Sequence, residues 1–339
     1  MEGLPSIFRV DDYRALNPDL QLEDDAAYVA HYLEEENEKG AVRLINARQL
    51  VVQAEFGFEV ACYVPYFKYL VEKGLFPPGR RVSTFAGMEP FYYFLAADQL
   101  ETRRTTRTGN ESGSWLLRNY DIVGRIDKSC WVCPTYKERF APKSKNGGKR
   151  SLVILNKRNV EWDKGPVNTL SVETVLALLT LLTPMFTVVY IRPSPADVAA
   201  GFSHDFNAML DLDDFGAIRR AFPSSEDVIL FQDLLTANAS YNETKCEVMA
   251  GADDFIAVQG GCAALVPFFA RRSIVLHVEG RELAAGHYDG YFKEARPDLF
   301  ERVEVCRTEA AVLAAAEQMW THEGTVTGAW TQAGTAEPA

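Results

Sequence analysis

The chain has 339 residues, of which 47% are hydrophobic and 24% are charged, and its formal net charge at pH 7 is −12. These proportions exclude an intrinsically disordered chain, and the negative charge argues against a protein that binds nucleic acid over most of its surface. The length is sufficient for one large domain or for two of ordinary size.

The sequence predicts neither a membrane-spanning segment nor a secretory signal. No apolar run approaches the roughly 18 residues that cross a bilayer, and the first residues, MEGLPSIFRVDDYRALN, are acidic where a secretory signal is basic. Six cysteines are too few for a disulfide scaffold in a chain of this length, which favours a reducing compartment. We therefore expect a cytoplasmic protein.

Residues 1–40 are predicted to form a small helical module. The segments FRVDDYRALNPDL and DDAAYVAHYLEEENEKG have apolar residues at helical spacing, with Tyr28 and Tyr32 on one stripe. Gly40 is a suitable end for the second helix.

Residues 41–149 follow with a weaker alternation of strands and helices. RQLVVQAE (48–55) and RRVSTFAG (80–87) are predicted as strands. EVACYVPYFKYLVEKG (59–74) is predicted as a helix that Pro65 kinks or restarts, and WLLRNYDIVG as another helix.

Residues 150–320 alternate more clearly. Predicted strands are 151–156, 186–193, 227–233, 255–258, 273–278 and 302–307, and predicted helices are 171–183, 213–223, 241–252, 262–270 and 308–320. Ser171 is suited to cap the first of these helices, with Glu173 in its first turn. Buried strands that alternate with helices indicate a parallel sheet covered on both faces.

The sequence therefore predicts an α/β protein with two Rossmann-like domains, 41–149 and 150–320, that face a cleft. The helical module is an N-terminal extension to them. The last residues, 321–339, are small and polar and are expected to be disordered.

Polar residues follow the carboxyl ends of the predicted strands, where ligands bind in open parallel sheets. Gln259, Gly260 and Gly261 lie between a buried strand and a helix, so the glycines suit either close packing or the approach of backbone amides to a phosphate. Lys157 and Arg158 follow another strand and can add positive charge. The other strand ends and the helix start supply Asn156, Arg192, Gln232, Cys262 and Glu279 as further binding candidates, and His277 as a core or supporting residue.

Positive charge is concentrated in the middle of the chain. Residues 101–158 contain 14 lysine or arginine residues and five acidic ones. Such an excess attracts an anionic ligand. A solvated basic loop is the alternative, above all for KSKNGGKR (143–150), which has the composition of a linker.

Several motifs are absent from the sequence. It has no G-x-G-x-x-G after a predicted strand, no G-x-x-x-x-G-K-[ST] and no G-x-S-x-G. These absences argue against a dehydrogenase with the dinucleotide fingerprint, a P-loop ATPase and a hydrolase with a nucleophile elbow.

Two clusters of metal-ligating residue types are interpreted as structural. Cys130 and Cys133 in CWVC have no second pair, so we expect packing around Trp131 instead of a zinc site. The aspartates of DLDD (211–214) precede a predicted helix, so capping by Asp213 or Asp214 is favoured over metal binding.

The succession LVILNKRNVEWDKGPVNTLSVETVLALL, FTVVYIRP and DDFIAVQGGCAALVPFFARRSIVLH resembles the nucleotide-sugar half of glycosyltransferases with the GT-B fold. The N-terminal YRALNPDLQLEDDAAYVAHYLEEENEKG is similar to helical modules attached to bacterial polysaccharide glycosyltransferases. In such enzymes a basic loop and a small-residue turn of the C-terminal domain bind the diphosphate, and Lys157, Arg158 and Gln259 to Gly261 match those places. The stretches that carry the resemblance lack the E-x-seven-E signature of one retaining group, which leaves the stereochemical course open.

The resemblance implies a metal-independent transferase that moves a sugar from a nucleoside-diphosphate donor to a glycan acceptor, with no cofactor besides the donor. An inverting transferase of this kind needs a base for the acceptor hydroxyl. Glu55, at the end of the first strand of 41–149, is the predicted base, with Glu59 and Glu89 in reserve; each could equally be a surface or capping carboxylate. The alternatives are a nucleotide-sugar epimerase of the same fold and a non-catalytic platform that binds a glycan or a nucleotide.

Overall fold

The computed structural model of the chain describes residues 10–16, 20–34, 49–103, 116–117, 131–142, 148–194 and 209–321, apart from positions 53, 75, 77–78, 162–163, 224–225, 237–239 and 285. The predicted disordered tail beyond 321, Cys130 and the centre of the predicted linker lie outside the described residues. Among the described residues, no helix combines the length and the apolar character needed to cross a bilayer.

The described strands form two parallel sheets, one of six strands and a smaller one of four. The strands are β1 Gln49–Val52, β2 Arg81–Phe85, β3 Leu100–Arg103, β4 Leu116–Leu117, β5 Arg150–Leu155, β6 Phe186–Ile191, β7 Val228–Leu230, β8 Asp254–Val258, β9 Arg272–Leu276 and β10 Arg302–Cys306. The order is β3-β2-β1-β4 in the smaller sheet and β10-β9-β8-β5-β6-β7 in the larger one. The predicted α/β class with parallel sheets is confirmed.

Each sheet has the strand order of a doubly wound fold. Counted within its own sheet, the smaller one runs 3-2-1-4, and the larger one runs 3-2-1-4-5-6. In both sheets the direction in which strands are added changes beside the strand that comes first in the chain. In the larger sheet this strand is β5, and the change lies between β5 and β8. Ligands of open parallel sheets bind at the carboxyl ends of the strands at such a reversal. The ends of β5 and β8 are therefore the first place to look for a site.

Helices connect and cover the strands. They are α1 Val10–Leu16, α2 Asp25–Glu34, α3 Phe56–Phe58, α4 Val64–Glu72, α5 Tyr136–Arg139, α6 Val172–Leu182, α7 Asp214–Ala221, α8 Tyr241–Ala250, α9 Gly261–Leu265, α10 Tyr291–Glu294 and α11 Glu309–Trp320. The Ser171 hydroxyl accepts a hydrogen bond from the amide of Thr174, and Glu173 lies in the first turn of α6, which confirms the predicted cap.

Two strands of the smaller sheet differ from the prediction. Leu116–Leu117, predicted within a helix, pairs with β1 as a strand, because tertiary pairing outweighs the local helical pattern. Leu100–Arg103 was not predicted at all, since its sequence LETR lacks an apolar alternation. It pairs with β2 at the edge of the sheet, where solvated polar side chains are tolerated.

Two predicted helices contain a proline near a change of helix type. The helix predicted at 262–270 ends at Leu265 and continues as a 3₁₀ turn, Val266–Phe268, because Pro267 has no amide to donate. The helix predicted at 59–74 contains a π-helical turn, Glu59–Tyr63, shortly before Pro65, which lies in the first turn of α4. Helical structure runs without a break from Phe56 to Glu72, so the predicted restart at Pro65 is wrong, and the predicted kink stays a prediction.

The two sheets share a hydrophobic core. Along β5, Leu152 and Ile154 belong to one apolar cluster and Val153 to another. The cluster with Val153 continues into the smaller sheet, where it includes Val52 and Val82. Each predicted Rossmann-like unit thus supplies one sheet, and the two sheets are joined by apolar packing. Residues of α1 and α2 form a separate small cluster around Tyr13, Tyr28 and Tyr32.

Trp131 is part of this shared core, as predicted for the CWVC segment. Its ring stacks on Phe268 with 6.3 Å between ring centroids, and its Nε1 donates to the carbonyl of Ala61 at 2.8 Å. Burial raises the pKa of the neighbouring Cys133 thiol to about 12.

Candidate functional site

Asn156 fixes the loop that follows β5. Its side chain is buried, and its Oδ1 accepts hydrogen bonds from the amides of Lys157 and Leu170, both at 2.9 Å. Its Nδ2 donates to the Leu170 carbonyl at 3.1 Å and to the Tyr190 hydroxyl at 2.9 Å. All its hydrogen-bonding capacity is used within the fold, so Asn156 closes the loop over residues 156–170 and holds the two cations that follow it.

Lys157 joins the basic loop to the glycine turn. Its Nζ bonds the carboxylate of Glu161, which is only 5% exposed and also accepts from the amide and the Nδ2 of Asn168, both at 3.1 Å. The same Nζ lies over Gly260, since a Cβ on that glycine would stand 2.7 Å from it. The structure therefore brings together the ends of β5 and β8, which the sequence separates by about a hundred residues.

The two glycines of the turn are required for different reasons. Gly260 has φ +131°, a conformation that L side chains rarely adopt. A Cβ on Gly261 would stand 3.1 Å from Cδ1 of Phe56 and 3.5 Å from the amide nitrogen of Gly57. Packing against the segment after β1 thus accounts for Gly261, whereas Gly260 faces Lys157. Cys262 follows in α9, which has five residues and so presents little aligned dipole to an anion.

Arg158 is the second cation of the loop. Its backbone carbonyl accepts a hydrogen bond from the amide of Leu210 at 2.8 Å. Its Nε is buried and has no hydrogen-bond partner among the described residues. A buried donor without a partner is rare in folded proteins and is often satisfied by a ligand or by water. Arg158 is therefore better suited than Lys157, which is paired with Glu161, to bind an incoming anion.

Arg192 lies inside the fold. Its side chain is 0% exposed and forms a bidentate ion pair with Asp214, with Nε–Oδ2 at 2.5 Å and Nη2–Oδ1 at 2.6 Å. The hydroxyl of Tyr190 donates to the same carboxylate at 2.6 Å. Gln232 donates from Nε2 to the Arg192 carbonyl at 2.7 Å. Both predicted binding residues thus support the strand ends, and we leave them outside the proposed site.

The predicted capping role of the DLDD aspartates is wrong for Asp213 but not for Asp214. Asp213 precedes α7 but makes no side-chain capping bond, and its carboxylate pairs with Arg220 at 2.7 Å. Asp214 forms the buried pair with Arg192, and its Oδ1 also accepts a hydrogen bond from the amide of Phe215 at 2.9 Å in the first turn of α7.

The loop after β9 is tied to the loop after β5. The Oδ1 of Asn168 accepts from the amides of Val278 at 2.8 Å and Glu279 at 3.2 Å, and its Nδ2 donates to the Glu279 carbonyl at 3.0 Å. The exposed carboxylate of Glu279 pairs with Lys164 at 2.6 Å. Asn168 was not predicted, because nothing in its local sequence indicates that it bridges two loops.

Gln259 and His277, which are buried, and Glu282, which is partly exposed, form a polar cluster beside the glycine turn. Gln259 is 4% exposed and donates from Nε2 to the Glu282 carboxylate, and His277 is 0% exposed. The second carboxylate oxygen of Glu282 lies 3.8 Å from Nε2 of His277, too far for a hydrogen bond. Gly280, with φ +140°, reverses the chain and brings Glu282 back to the strand ends. The sequence identified Gln259 and His277 separately but not Glu282.

Burial lowers the pKa of His277 below its ordinary value, and the positive charges of Arg307 and Lys157 act in the same direction. The carboxylate of Glu282 and the backbone of Gly280 oppose this shift. At neutral pH the imidazole is therefore uncharged, with one nitrogen that donates and one that accepts.

Three carboxylates of the smaller sheet were predicted as bases. Glu55 is exposed and directly precedes Phe56, the residue that packs on Gly261. Glu59 is fully buried, and its carboxylate accepts from the hydroxyls of Thr84 and Tyr92. Glu89 begins the 3₁₀ turn Glu89–Tyr92 and is exposed. Glu55 thus combines exposure with a position next in the chain to Phe56, which packs on the glycine turn.

Comparisons of the chain with models of protein families, with curated proteins and with solved structures found no match. Within the described ranges, no three His, Cys, Asp or Glu side chains are grouped so as to hold a metal ion. The function of the site is therefore inferred from the arrangement of its residues.

Proposed function

We propose that the protein is a GT-B-like glycosyltransferase that moves a sugar from a nucleoside-diphosphate donor to a glycan acceptor. One observation carries the proposal: Lys157, which follows β5, lies over Gly260, which follows β8, where the strand order of the larger sheet reverses, and Arg158 is the next residue of the same loop. A positive, glycine-lined position at such a reversal is suited to a diphosphate. The strand order of the smaller sheet supports a second Rossmann-like half.

The donor side of the reaction uses the two cations. The acceptor oxygen attacks the anomeric carbon, the bond from that carbon to the diphosphate oxygen breaks, and the nucleoside diphosphate leaves with the electron pair. Negative charge grows on the leaving diphosphate in the transition state. Arg158 and Lys157 stabilise this charge electrostatically, and the Lys157 ammonium lies over the backbone of Gly260.

The acceptor side uses the segment after β1. Glu55 takes the proton from the acceptor hydroxyl as the new bond to the anomeric carbon forms. Its position directly before Phe56 supports this role, because Phe56 and Gly57 pack on Gly261 and so hold the segment beside the donor site.

A non-catalytic binding platform is the second candidate. The continuous apolar core that joins the two sheets favours it, since a cleft that opens and closes between them would disrupt this core. Release of nucleoside diphosphate only when a glycan is added supports transfer. Release without an acceptor supports the epimerase, and donor binding without any turnover supports the platform.

Arg158→Ala is expected to weaken nucleoside-diphosphate binding about 10- to 100-fold, because a hydrogen bond to a charged group contributes about 1.5–3 kcal/mol. Its melting temperature should change little, since the buried Nε donates to no described residue. Lys157→Ala should weaken binding and also lower the melting temperature, because Glu161 loses its cation while buried.

Titration calorimetry and thermal shift with nucleoside diphosphates measure both effects. Lys149→Ala is the matched control, because this exposed lysine pairs with Asp227 at the opposite, amino end of β5. If Arg158→Ala and Lys157→Ala bind nucleoside diphosphate as tightly as the native protein does, neither cation belongs to the donor site.

A further inference from the structure

We infer that Gln259, His277 and Glu282 form a binding subsite for a vicinal diol of the ligand. This inference rests on the proposed function in one respect, since the diol is taken to belong to the nucleotide sugar. The three residues follow β8 and β9 and meet around Gly280.

The cluster contains more unsatisfied polar atoms than folding alone explains. The Oε1 of Gln259, both ring nitrogens of His277 and the Oε2 of Glu282 are buried and make no hydrogen bond of ordinary geometry with the described residues, although the backbone of Gly280 interacts with the imidazole. Each such atom destabilises a fold, and native proteins contain few of them. Four in one cluster indicate a place where a polar ligand completes the hydrogen bonding.

The chemistry of these atoms selects the ligand. Gln259 Oε1 and Glu282 Oε2 can only accept hydrogen bonds, and neutral His277 offers one acceptor and one donor. A phosphate also only accepts at its charged oxygens, so it is repelled by the Glu282 carboxylate. Sugar hydroxyls can donate and accept at once. Two adjacent hydroxyls therefore match this set of partners.

The cluster lies next to the cations of the proposed donor site. Gln259 directly precedes Gly260, over which Nζ of Lys157 lies. A diphosphate at the cations would therefore place either the ribose or the transferred sugar at the cluster. Both carry a vicinal diol, and the two sources can be separated by experiment.

Glu282→Gln tests the subsite in the 339-residue chain. This change exchanges an acceptor oxygen for an amide that donates, and the side chain is partly exposed, so folding is retained. Glu301→Gln is the matched control, because this exposed carboxylate pairs with Arg271 at the amino ends of β9 and β10. Gln259→Met is a second variant that keeps the side-chain length and removes both polar atoms.

The ligands are the nucleoside diphosphate that binds most tightly, its 2′-deoxy counterpart and the corresponding glucose conjugate. If the ribose occupies the subsite, the native protein should bind the diphosphate about tenfold more tightly than the deoxy form. If the transferred sugar occupies it, the conjugate should bind about tenfold more tightly than the diphosphate. Glu282→Gln and Gln259→Met should abolish the preference, whereas Glu301→Gln keeps it.

Failure of the proposed function gives a different result from failure of the subsite. If the native protein binds all three ligands with equal affinity, the subsite alone is overturned. The same holds if the native protein prefers one ligand and both variants keep that preference. If no nucleotide binds, the proposed function fails, and saturation-transfer NMR with D-ribose and methyl glucoside then decides. A signal that both variants remove supports the diol subsite, and the absence of a signal in the native protein overturns it.

Discussion

Asp214→Ala is expected to lower the free energy of unfolding by about 3–5 kcal/mol, because it leaves a buried arginine without its counterion. Arg192 and Asp214 are both 0% exposed, and two hydrogen bonds connect them. The Asp214 carboxylate also accepts from Tyr190, which in turn is bonded to Asn156. The loss should therefore extend to the loop that carries Lys157 and Arg158, and it should weaken ligand binding as well. Urea unfolding monitored by circular dichroism measures the first effect, and titration calorimetry the second.

The double variant Arg192→Met with Asp214→Leu separates the charge from the packing. Replacement of a buried ion pair by apolar residues of similar volume is often neutral or stabilising. The double variant should therefore be more stable than Asp214→Ala by a clear margin. A destabilisation below about 1 kcal/mol for Asp214→Ala would mean that solvent reaches Arg192 and that the pair is not structural.

The strands of the larger sheet could be predicted because buried strands are apolar, and apolar runs are easily recognised in the sequence. β5, β6, β8 and β9 are short apolar runs, and parallel strands covered on both faces must be apolar almost throughout. The smaller sheet has edge strands such as Leu100–Arg103, where solvated positions tolerate charge. Such strands have no apolar pattern, and the sequence therefore did not predict them.

The site could be predicted in its parts but not in its pairings. The rule that ligands bind at strand ends identified Lys157, Arg158 and Gly260, because it depends only on local order along the chain. It could not show that Arg192 would form an ion pair with Asp214, or that Glu282 would lie close to His277. These contacts depend on how segments 5 to 22 residues apart fold back on one another. The sequence alone does not show which side chain of the protein will pair with a charged residue and so compete with a ligand for it.

Glu55→Gln is expected to lower turnover about 10²- to 10⁴-fold while nucleoside-diphosphate binding stays unchanged. The amide cannot take the proton from the acceptor hydroxyl, and general-base catalysis contributes a factor of this size. The substitution is made at an exposed position, so the melting temperature should stay close to that of the native protein. Release of nucleoside diphosphate in the presence of a glycan measures turnover, and calorimetry measures donor binding.

Glu59→Gln and Glu89→Gln complete the test, because each represents a competing assignment of the base. Glu59 is fully buried and already accepts from Thr84 and Tyr92, so an acceptor hydroxyl could reach it only if the helix from residue 56 to 72 opened. Its amide variant can still accept from those hydroxyls, and turnover should persist. If Glu59→Gln abolishes turnover and Glu55→Gln does not, the π-helical turn carries the base, and the acceptor approaches from inside the smaller sheet. Such a result would also require the shared core to open during catalysis, since Phe56 and Val60 on either side of Glu59 belong to it.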